Sequence, residues 1–541
     1  MGILVASEPV YAQISAGGVP ISFREAMRPD TATPVRLTPP DPGRLAAEDE
    51  LDRMNYRFAV NIPVSLGIGD AGNWTVSPAG TRVWRMTIIA PGARALLVYF
   101  DRFRLGEGDR VFIYNPARTK LLGAFTARNN NRWSTFATEM VEGDAVTIEY
   151  DAPAGVAPPD LRISEIGYAY RGVSSLGDAP SGFGGSGDCE VNINCEEGQD
   201  WQLEKRSVAR IAVKRGTGSV WCTGSLVNNV RNDGTPYLLT ADHCGRYSSE
   251  TDLTQWIFYF NYEGTACANP SKEPASNSLV GATLVAHGGN AGAAGSDFFL
   301  LRLSSPVPEN FNVYFNGWSR ITTPPSSSGV TIHHPQGDIR KVSVYNTPLE
   351  PTFWTGGSKL AHWRVRWAAT PNGHGVTEGG SSGSPLYDNL GRLVGTLTGG
   401  DASCDSAYLT APDYYGMFSY SWDKNGTDST EVLKYWLDPD STDVMELNGW
   451  AVGTGEMVKE PLVTLRPNPV QDFMILSRPA GSCDDLVISV SDMLGKVVFS
   501  EEWKATAGVA KKVGTGSLAP GIYLVAVTGN GIRAVHKIIK Q

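Results

Sequence analysis

The chain has 541 residues, a formal net charge of −10 and a sequence pI near 5.3. This length predicts three or four domains, and the acidic balance excludes nucleic acid as a partner, because no basic patch is present to release counterions. No run of about 18 apolar residues occurs, so the sequence predicts no transmembrane segment.

The opening of the chain has the composition of the end of a signal peptide. An apolar stretch leads to a small-residue cleavage site after Ala12, although the basic start of such a peptide is missing. We therefore expect residues 1–12 to be a residual signal peptide of an exported protein.

Residues 13–183 are predicted to be a propeptide that contains a β-sandwich and ends in a linker. Short alternating strands are indicated at 56–62, 83–89, 95–100, 110–114 and 145–150, which is typical of an all-β sandwich. The region has no histidine and no catalytic grouping. We expect it to cover the protease or to assist its folding, and a carbohydrate- or protein-binding module is the alternative. A Gly-, Ser- and Pro-rich stretch at 172–187 is predicted to be a cleavable linker.

Three separated segments then carry the side chains that acyl transfer to serine requires. His243 follows the apolar segment YLLTAD, Asp297 precedes the apolar run FFLLRL, and Ser382 lies in GGSSGSPL at 379–386. These residues supply a nucleophile, a general base and a carboxylate that orients the base, in the order of the double-barrel serine proteases. We expect them to form a catalytic triad, with Ser381 and Ser384 as rival nucleophiles.

The glycines around Ser382 indicate an oxyanion hole. Two backbone N–H groups must point at one oxygen, and the chain has to turn sharply to bring them there. By position, the expected donors are the amides of Gly380 and Ser382. A flexible Gly/Ser loop is the alternative interpretation of this stretch taken alone.

Residues from about 184 to 450 resemble the secreted bacterial lysyl endopeptidases, a branch of the trypsin-like serine proteases. The resemblance rests on five segments in the family's order: TADHC at 240–244, SDF at 296–298, HHPQGD at 333–338, TEGGSSGSP at 377–385 and YWLDP at 435–439. It implies a mainly β protein with a chymotrypsin-like double β-barrel at 184–450. It also implies a secreted endopeptidase that acts on protein or peptide substrates and cuts after lysine, with arginine or a broader P1 preference as alternatives.

Six of the seven cysteines fall within this region, at Cys189, Cys195, Cys222, Cys244, Cys267 and Cys404. An even number in an exported domain predicts three disulfides, although the sequence alone leaves their pairing open. The family resemblance implies Cys189–Cys404, Cys195–Cys267 and Cys222–Cys244. Zinc is the competing interpretation, but no two cysteines have the C-x₂-C spacing, and we expect neither a metal nor another cofactor. Cys483 lies outside this region and is expected to be a buried or free thiol.

Specificity is predicted at Asp413. In lysyl endopeptidases the aspartate before x-Tyr-Gly lies at the base of the S1 pocket, and DYYG at 413–416 fits that pattern. A buried carboxylate needs a cation to offset its desolvation, so it selects a basic P1 residue. Asp401 and Asp405 are the rivals for this role.

Two positions depart from related enzymes. Thr398 stands where better-known lysyl endopeptidases carry a histidine that stacks with a tryptophan, for which Trp363 and Trp367 are candidates. This replacement weakens the expectation of strict lysine preference more than the expectation of proteolysis. Ser381 stands where animal trypsins carry the aspartate that pairs with a new N-terminal amine. We therefore expect activation by removal of an inhibitory pro-region instead.

After a predicted linker at 451–462, residues 463–541 resemble the C-terminal sorting domain of type IX secretion cargo. The segments LRPNP at 465–469 and PGIY at 520–523 carry this resemblance. It implies an Ig-like β-sandwich, recognition by the type IX secretion machinery, and a secreted or cell-surface protein exported through the periplasm. An ordinary fibronectin-like domain is the alternative for this region. A surface binding protein on a degenerate protease scaffold is the alternative for the whole chain.

Overall fold

A computed structural model of the protein describes residues 14–25, 32–51, 56–153, 155–171, 182–323, 325–451, 464–477, 484–492, 496–505, 510–529 and 532–541. The protein is mainly β, and its strands form three regions in chain order. The predicted fold class, a β-rich protease between two β-sandwiches, is confirmed. The predicted signal peptide, Cys483 and most of the two predicted linkers lie outside the described residues.

The N-terminal region is a sandwich of two sheets with a common core. One sheet contains the strands Val35–Arg36, Asn73–Val76, Arg82–Ile89, Arg110–Tyr114, Leu121–Phe125 and Ala145–Ala152. The other contains Tyr56–Gly67, Ala95–Arg104, Phe136–Ala137, Val141–Glu142 and Asp160–Ala169. Met86 and Ile88 from the first sheet and Val98 and Phe100 from the second are buried in one cluster. Alternation along the strands turns these side chains inward. The helices of this region are Ile21–Arg24, Pro42–Leu51 and the 3₁₀ turn Ala127–Asn129.

The first barrel of the central region consists of antiparallel strands that continue the second sheet of the N-terminal sandwich. Its strands are Val208–Arg215, Gly218–Leu226, Tyr237–Ala241, Ile257–Phe260, Asn277–Val280, Ala282–Gly288 and Phe298–Leu303. Two short helices, Asp242–Gly245 and Glu250–Leu253, follow its strands, and the 3₁₀ turns Glu196–Trp201 and Glu204–Ser207 precede it. The apolar runs seen in the sequence fill the interior of this barrel.

The second barrel follows along the chain. Its sheet contains Val191–Asn192, Trp318–Ser319, Gly329–His333, Lys341–Tyr345, Glu350–Thr352, His362–Val365, Pro385–Asp388, Leu393–Gly400, Asp413–Met417 and Glu446–Leu447. The remaining elements are the paired strands Tyr314–Phe315 and Trp450–Ala451, the helices Phe418–Asp423 and Lys434–Leu437, and the 3₁₀ turns Glu309–Phe311 and Pro335–Gly337. Phe298 and Leu300 of the first barrel share a buried cluster with Trp318 and Leu393 of the second, so the two barrels pack as one body.

The C-terminal region is a second sandwich. A three-stranded sheet contains Thr464–Arg466, Phe473–Ser477 and Lys511–Gly514, and a four-stranded sheet contains Asp484–Asp492, Val497–Ala505, Gly521–Gly529 and Ile532–Lys540. Met474 and Leu476 from one sheet pack with Ile488 and Val525 from the other. Of the helices in the described ranges, none combines the length and the hydropathy needed to cross a bilayer.

Candidate active site

His243 and Asp297 are brought together by neighbouring strands of the first barrel. Tyr237–Ala241 pairs with Phe298–Leu303 and is followed at once by the helix Asp242–Gly245, so this helix begins beside Asp297, the residue before the other strand. His243 Nδ1 donates to Asp297 Oδ2 over 2.7 Å, and the His243 amide donates to Oδ1 over 2.9 Å. Both side chains are buried, and burial raises the pKa of Asp297 although His243 opposes this effect. The carboxylate thereby holds the ring in the tautomer that is protonated on Nδ1.

Ser382 lies in a loop of the second barrel that is fixed to the strand Gly218–Leu226 of the first. Thr223 of that strand holds the loop twice. Its amide donates to the Ser382 carbonyl over 2.8 Å, and its hydroxyl donates to the Gly380 carbonyl over 2.9 Å. The loop therefore keeps a constant position relative to the first barrel, which carries His243.

The second ring nitrogen of His243, Nε2, is buried and has no hydrogen-bond partner in the part of the chain that the structure describes. Because Nδ1 donates to Asp297, Nε2 carries a lone pair that can accept a proton. The disulfide Cys222–Cys244 joins the strand that anchors the Ser382 loop to the helix that carries His243. The geometry thus provides an oriented base next to a fixed serine loop.

The turn that presents Ser382 requires glycine at position 383. Gly383 has a φ of +82°, and a Cβ added there would lie 2.1 Å from the hydroxyl oxygen of Thr240. Gly380 has a φ of +97°, also in the left-handed region. Any side chain at these two positions would strain or displace the turn.

The two rival serines are engaged elsewhere. Ser381 Oγ hydrogen-bonds His333 Nδ1 over 2.7 Å and accepts the Glu378 amide over 3.2 Å. Ser384 Oγ accepts a hydrogen bond from the Thr331 hydroxyl over 3.2 Å. Both serines are fully buried, whereas Ser382 is 8% exposed. Ser382 is therefore the serine of this loop that solvent reaches.

The amides expected to form the oxyanion hole are unoccupied donors. Gly379 O accepts the amide of Gln336 over 2.6 Å, which fixes the orientation of the peptide between Gly379 and Gly380. The N–H of a trans peptide points away from its carbonyl, so the Gly380 amide faces the opposite side. Within the described ranges, neither this amide nor that of Ser382 has a hydrogen-bond acceptor.

Asp413 lies at the start of the strand Asp413–Met417 and is 1% exposed. Its Oδ2 accepts hydrogen bonds from Trp367 Nε1 over 2.6 Å and from the Thr377 hydroxyl over 2.7 Å, and its Oδ1 accepts the Ala402 amide over 3.3 Å. All three donors are neutral. Burial outweighs them and raises the pKa of Asp413 to about 6. A cation that reached this carboxylate would be strongly favoured.

The other residues proposed near the specificity pocket do not take the expected roles. Asp401 and Asp405 are exposed. Trp363 Nε1 donates to the Val394 carbonyl over 3.1 Å, and Trp367 contacts Asp413. Neither tryptophan is therefore the aromatic neighbour of Thr398 that the family resemblance suggested.

The aromatic neighbour of Thr398 is Trp354, which sequence reasoning missed. Its ring is so close that a Cβ added at Gly399 would lie 3.3 Å from Trp354 Cη2. His362 Nε2 bonds the Thr398 hydroxyl over 3.0 Å, and its ring centroid is 6.0 Å from that of Trp354. Burial lowers the pKa of His362 to about 4, so this ring is neutral near pH 7. Thr398 and His362 lie on two strands that are separated by the strand Asp413–Met417. Their contact depends on the order of the strands in the sheet, and no local motif reveals it.

The six cysteines form the pairs that the resemblance implies: Cys189–Cys404, Cys195–Cys267 and Cys222–Cys244. One group of potential metal ligands also occurs in the described ranges, formed by Glu190, Glu378 and Cys404 within 4.8 Å of one another. Its sulfur belongs to a disulfide and cannot be a thiolate ligand, so this group lacks its third donor.

Two segments of the chain match known protein families. Residues 183–416 match the family described as lysyl endopeptidase, C-terminal domain, and residues 464–541 match the secretion system C-terminal sorting domain. A lysyl endopeptidase of Pseudomonas aeruginosa is 28% identical over 429 residues, which are 75% of this chain and 86% of the relative. The crystal structure of the protease Anisep from Arthrobacter nicotinovorans is 15% identical, with a TM-score of 0.27, and the match covers 39% of this chain and 90% of that chain.

Proposed function

We propose that this protein, a protease with a lysyl endopeptidase family domain and a secretion sorting domain, is a secreted serine endopeptidase that cuts after lysine. The observation that carries the serine mechanism is the buried His243–Asp297 pair, in which His243 Nε2 has no hydrogen-bond partner among the described residues. The barrel that carries this pair also holds the Ser382 loop through Thr223. This arrangement supplies the base, its orienting carboxylate and a candidate nucleophile together.

In the proposed reaction, Ser382 Oγ attacks the scissile carbonyl carbon while His243 Nε2 takes the hydroxyl proton. Asp297 stabilises the imidazolium, and the amides of Gly380 and Ser382 bind the oxyanion. The intermediate collapses to an acyl-enzyme as the imidazolium protonates the leaving amine. Water then attacks the ester carbon while His243 takes its proton, and the imidazolium returns that proton to Ser382 Oγ as the ester bond breaks. This step restores Ser382 and releases the new carboxylate.

Ser382→Ala tests the mechanism. We expect peptide hydrolysis to fall by on the order of 10⁴–10⁶-fold, and labelling by a fluorophosphonate to disappear, while the fold is retained. Ser384→Ala is the matched control, because it removes a hydroxyl from the same loop and should still be labelled. Near-normal turnover of Ser382→Ala would show that Ser382 is not the nucleophile. Labelling also separates the enzyme from a binding protein on a protease-like scaffold.

We propose that Asp413 pairs with the lysine ammonium of the substrate. Among the described residues its hydrogen-bond donors are all neutral, and it is buried, which supports this role because an ammonium would offset its desolvation. Asp413→Asn should lower kcat/KM for lysyl substrates by orders of magnitude and should lower it far less for substrates with an uncharged P1 residue. Asp405→Asn, at an exposed aspartate, is the control and should leave kcat/KM unchanged for both kinds of substrate. Because its pKa is about 6, kcat/KM for lysyl substrates should also fall below that pH. Equal losses on both substrate types would indicate a structural role instead.

We propose that residues 13–183 are the propeptide, 184–450 the protease, 451–462 a linker and 463–541 the sorting domain. Tyr56 supports a covering role for the propeptide, because a Cβ added at Gly379 would lie 3.1 Å from its ring. No lysine occurs between Lys120 and Lys205, so a strictly lysine-specific enzyme cannot release itself at this junction.

Arg171, the last residue before the predicted linker, distinguishes the routes of maturation. Its Nε donates to the Arg57 carbonyl over 2.5 Å, and its guanidinium lies 4.7 Å from the Tyr56 ring centroid. A mature N-terminus at Gly172 that is lost in Ser382→Ala would indicate self-cleavage after arginine. The same N-terminus persisting in that variant would indicate an outside protease, and any other N-terminus a different specificity. Mass spectrometry of the mature protein decides among these outcomes.

A further inference from the structure

A second histidine–aspartate pair lies beside His243 and Asp297. Asp242 directly precedes His243, and its side chain is 3% exposed. Its Oδ1 accepts a hydrogen bond from His287 Nδ1 over 2.8 Å, and its Oδ2 accepts the Ala291 amide over 2.9 Å. The proposed mechanism does not use this buried carboxylate.

Asp242 acts electrostatically on the candidate catalytic pair. Its amide donates to the Asp297 carbonyl over 3.1 Å. Burial is the main cause of the raised pKa of Asp297, and the negative charge of Asp242 adds to it. A carboxylate that disfavours a neighbouring anion favours a neighbouring cation. The cation that forms at this place during acyl transfer is the imidazolium of His243.

His287 is the accessible member of the second pair. It lies on the strand Ala282–Gly288, and its side chain is 47% exposed. Its hydrogen bond to Asp242 is the main cause of its raised pKa, Glu431 adds to the effect, and burial and Arg246 oppose it. Since this histidine titrates in contact with solvent, the net charge of the pair changes with pH while Asp242 remains buried.

We propose that Asp242 is a second carboxylate that stabilises the imidazolium of His243, and that the charge on His287 regulates this effect. The proposal rests on the proposed function, in which His243 is the general base. When His287 is neutral, the charge of Asp242 acts fully on His243. When His287 is protonated, the pair is neutral and the stabilisation weakens. Asp242 is thus a positioning residue that acts through His243.

The test is the rate at which an uncharged fluorophosphonate inactivates the enzyme produced from the full chain, measured against pH. This probe needs no charge at Asp413, so the acid limb of the profile reports on His243. Asp242→Asn keeps an oxygen for the Ala291 amide but removes the charge. We expect the midpoint of the acid limb to fall by about half to one pH unit, and the plateau rate to fall about three- to tenfold.

Two further variants separate this effect from a structural one. His287→Gln removes the compensating positive charge and should move the midpoint upward, by less than the shift in Asp242→Asn. Glu431→Gln is the matched control, because it also removes one negative charge near His287, whereas the hydrogen bonds to His287 and to the Asp297 carbonyl come from Asp242. It should move the midpoint by less than about 0.2 pH unit.

The outcomes that overturn the proposal are distinct. A lower rate of Asp242→Asn at every pH with an unchanged midpoint means that Asp242 only holds the loop of Ala291. Equal shifts in Asp242→Asn and Glu431→Gln mean a general charge effect. A downward shift in His287→Gln removes the regulatory role. Labelling that persists in Ser382→Ala would instead overturn the proposed function, whatever the other variants do.

Discussion

The two sandwiches attach to the protease in different ways. The N-terminal sandwich continues the sheet of the protease, because its strand Tyr56–Gly67 pairs antiparallel with Gly218–Leu226 of the first barrel. The C-terminal sandwich has sheets of its own and reaches the protease through Arg466. The guanidinium of Arg466 pairs with Glu204 over 3.0 Å and lies over the ring of Trp201.

The N-terminal contact also includes a shared core. Phe58 stacks on Trp221 with ring centroids 4.1 Å apart, and both rings are almost completely buried. Lys214 of the first barrel pairs with Glu165 of the sandwich over 2.7 Å and with Asp252 of its own barrel over 2.5 Å. Both an apolar contact and an ion pair therefore join the N-terminal sandwich to the first barrel.

The difference indicates which regions are independent. A common sheet and core couple the stability of the N-terminal sandwich to that of the first barrel, since neither can unfold without exposing the other's apolar surface. The contacts of one arginine side chain, although mostly buried, supply less coupling than a common sheet and a shared core. We therefore expect one cooperative unit made of the N-terminal sandwich and the protease, and a separate unit at the C-terminus, as suits a sorting signal.

The largest effect is expected from Phe58→Ala. The variant leaves a cavity against Trp221, so it should destabilise the sandwich and the protease together, by about 3–5 kcal/mol. Leu476→Ala, in the buried core of the C-terminal sandwich, is the matched control and should lower only a separate transition. Calorimetry of both variants measures this difference. If Phe58→Ala left protease unfolding unchanged, the shared core would not couple the two regions.

A smaller effect is expected from pH, acting through Asp151 of the N-terminal sandwich. Burial, with the nearby charge of Glu149, raises its pKa to about 7. The folded state therefore holds this proton more tightly than the unfolded chain does, so the stability contributed by neutral Asp151 is full below about pH 4 and is lost as pH rises to about 7.

Chemical denaturation between these pH values measures the loss, which we expect to be about 1–2 kcal/mol. Asp151→Asn keeps a neutral side chain of the same shape, so it should remove this contribution to the dependence of the free energy of unfolding on pH. An unchanged slope in that variant would assign the pH dependence to other groups.

The smallest effect is expected from Arg466→Ala. It removes the ion pair with Glu204 and the contact with Trp201. Because Glu204 lies at the boundary with the C-terminal sandwich, water can hydrate its carboxylate once the guanidinium is gone. The stability of the protease should therefore change by less than about 1 kcal/mol, with kcat/KM unaltered. Thermal unfolding and peptide hydrolysis measure these quantities. A large loss of protease stability would show that the C-terminal sandwich is not independent.

Much of the candidate site could be predicted because its residues lie in short patterns. His243 and Asp297 flank apolar strands, and the glycines around Ser382 predict a tight turn. The structure places the first two within 2.7 Å, while the roles of all three remain proposals. The contacts of Trp354 and His362 near Thr398 could not be predicted, because neither residue lies in a recognisable motif. Their proximity to Thr398 results from the fold alone.

The sequence by itself determined the main strands of the N-terminal sandwich, the turn glycines and the types of the candidate reactive side chains, because strand periodicity and turn chemistry are local properties. Only the tertiary structure decided that Tyr56–Gly67 joins the protease sheet and that His287 pairs with Asp242. Strand partners and buried charge pairs depend on the free energy of packing between distant segments. No local pattern contains that free energy.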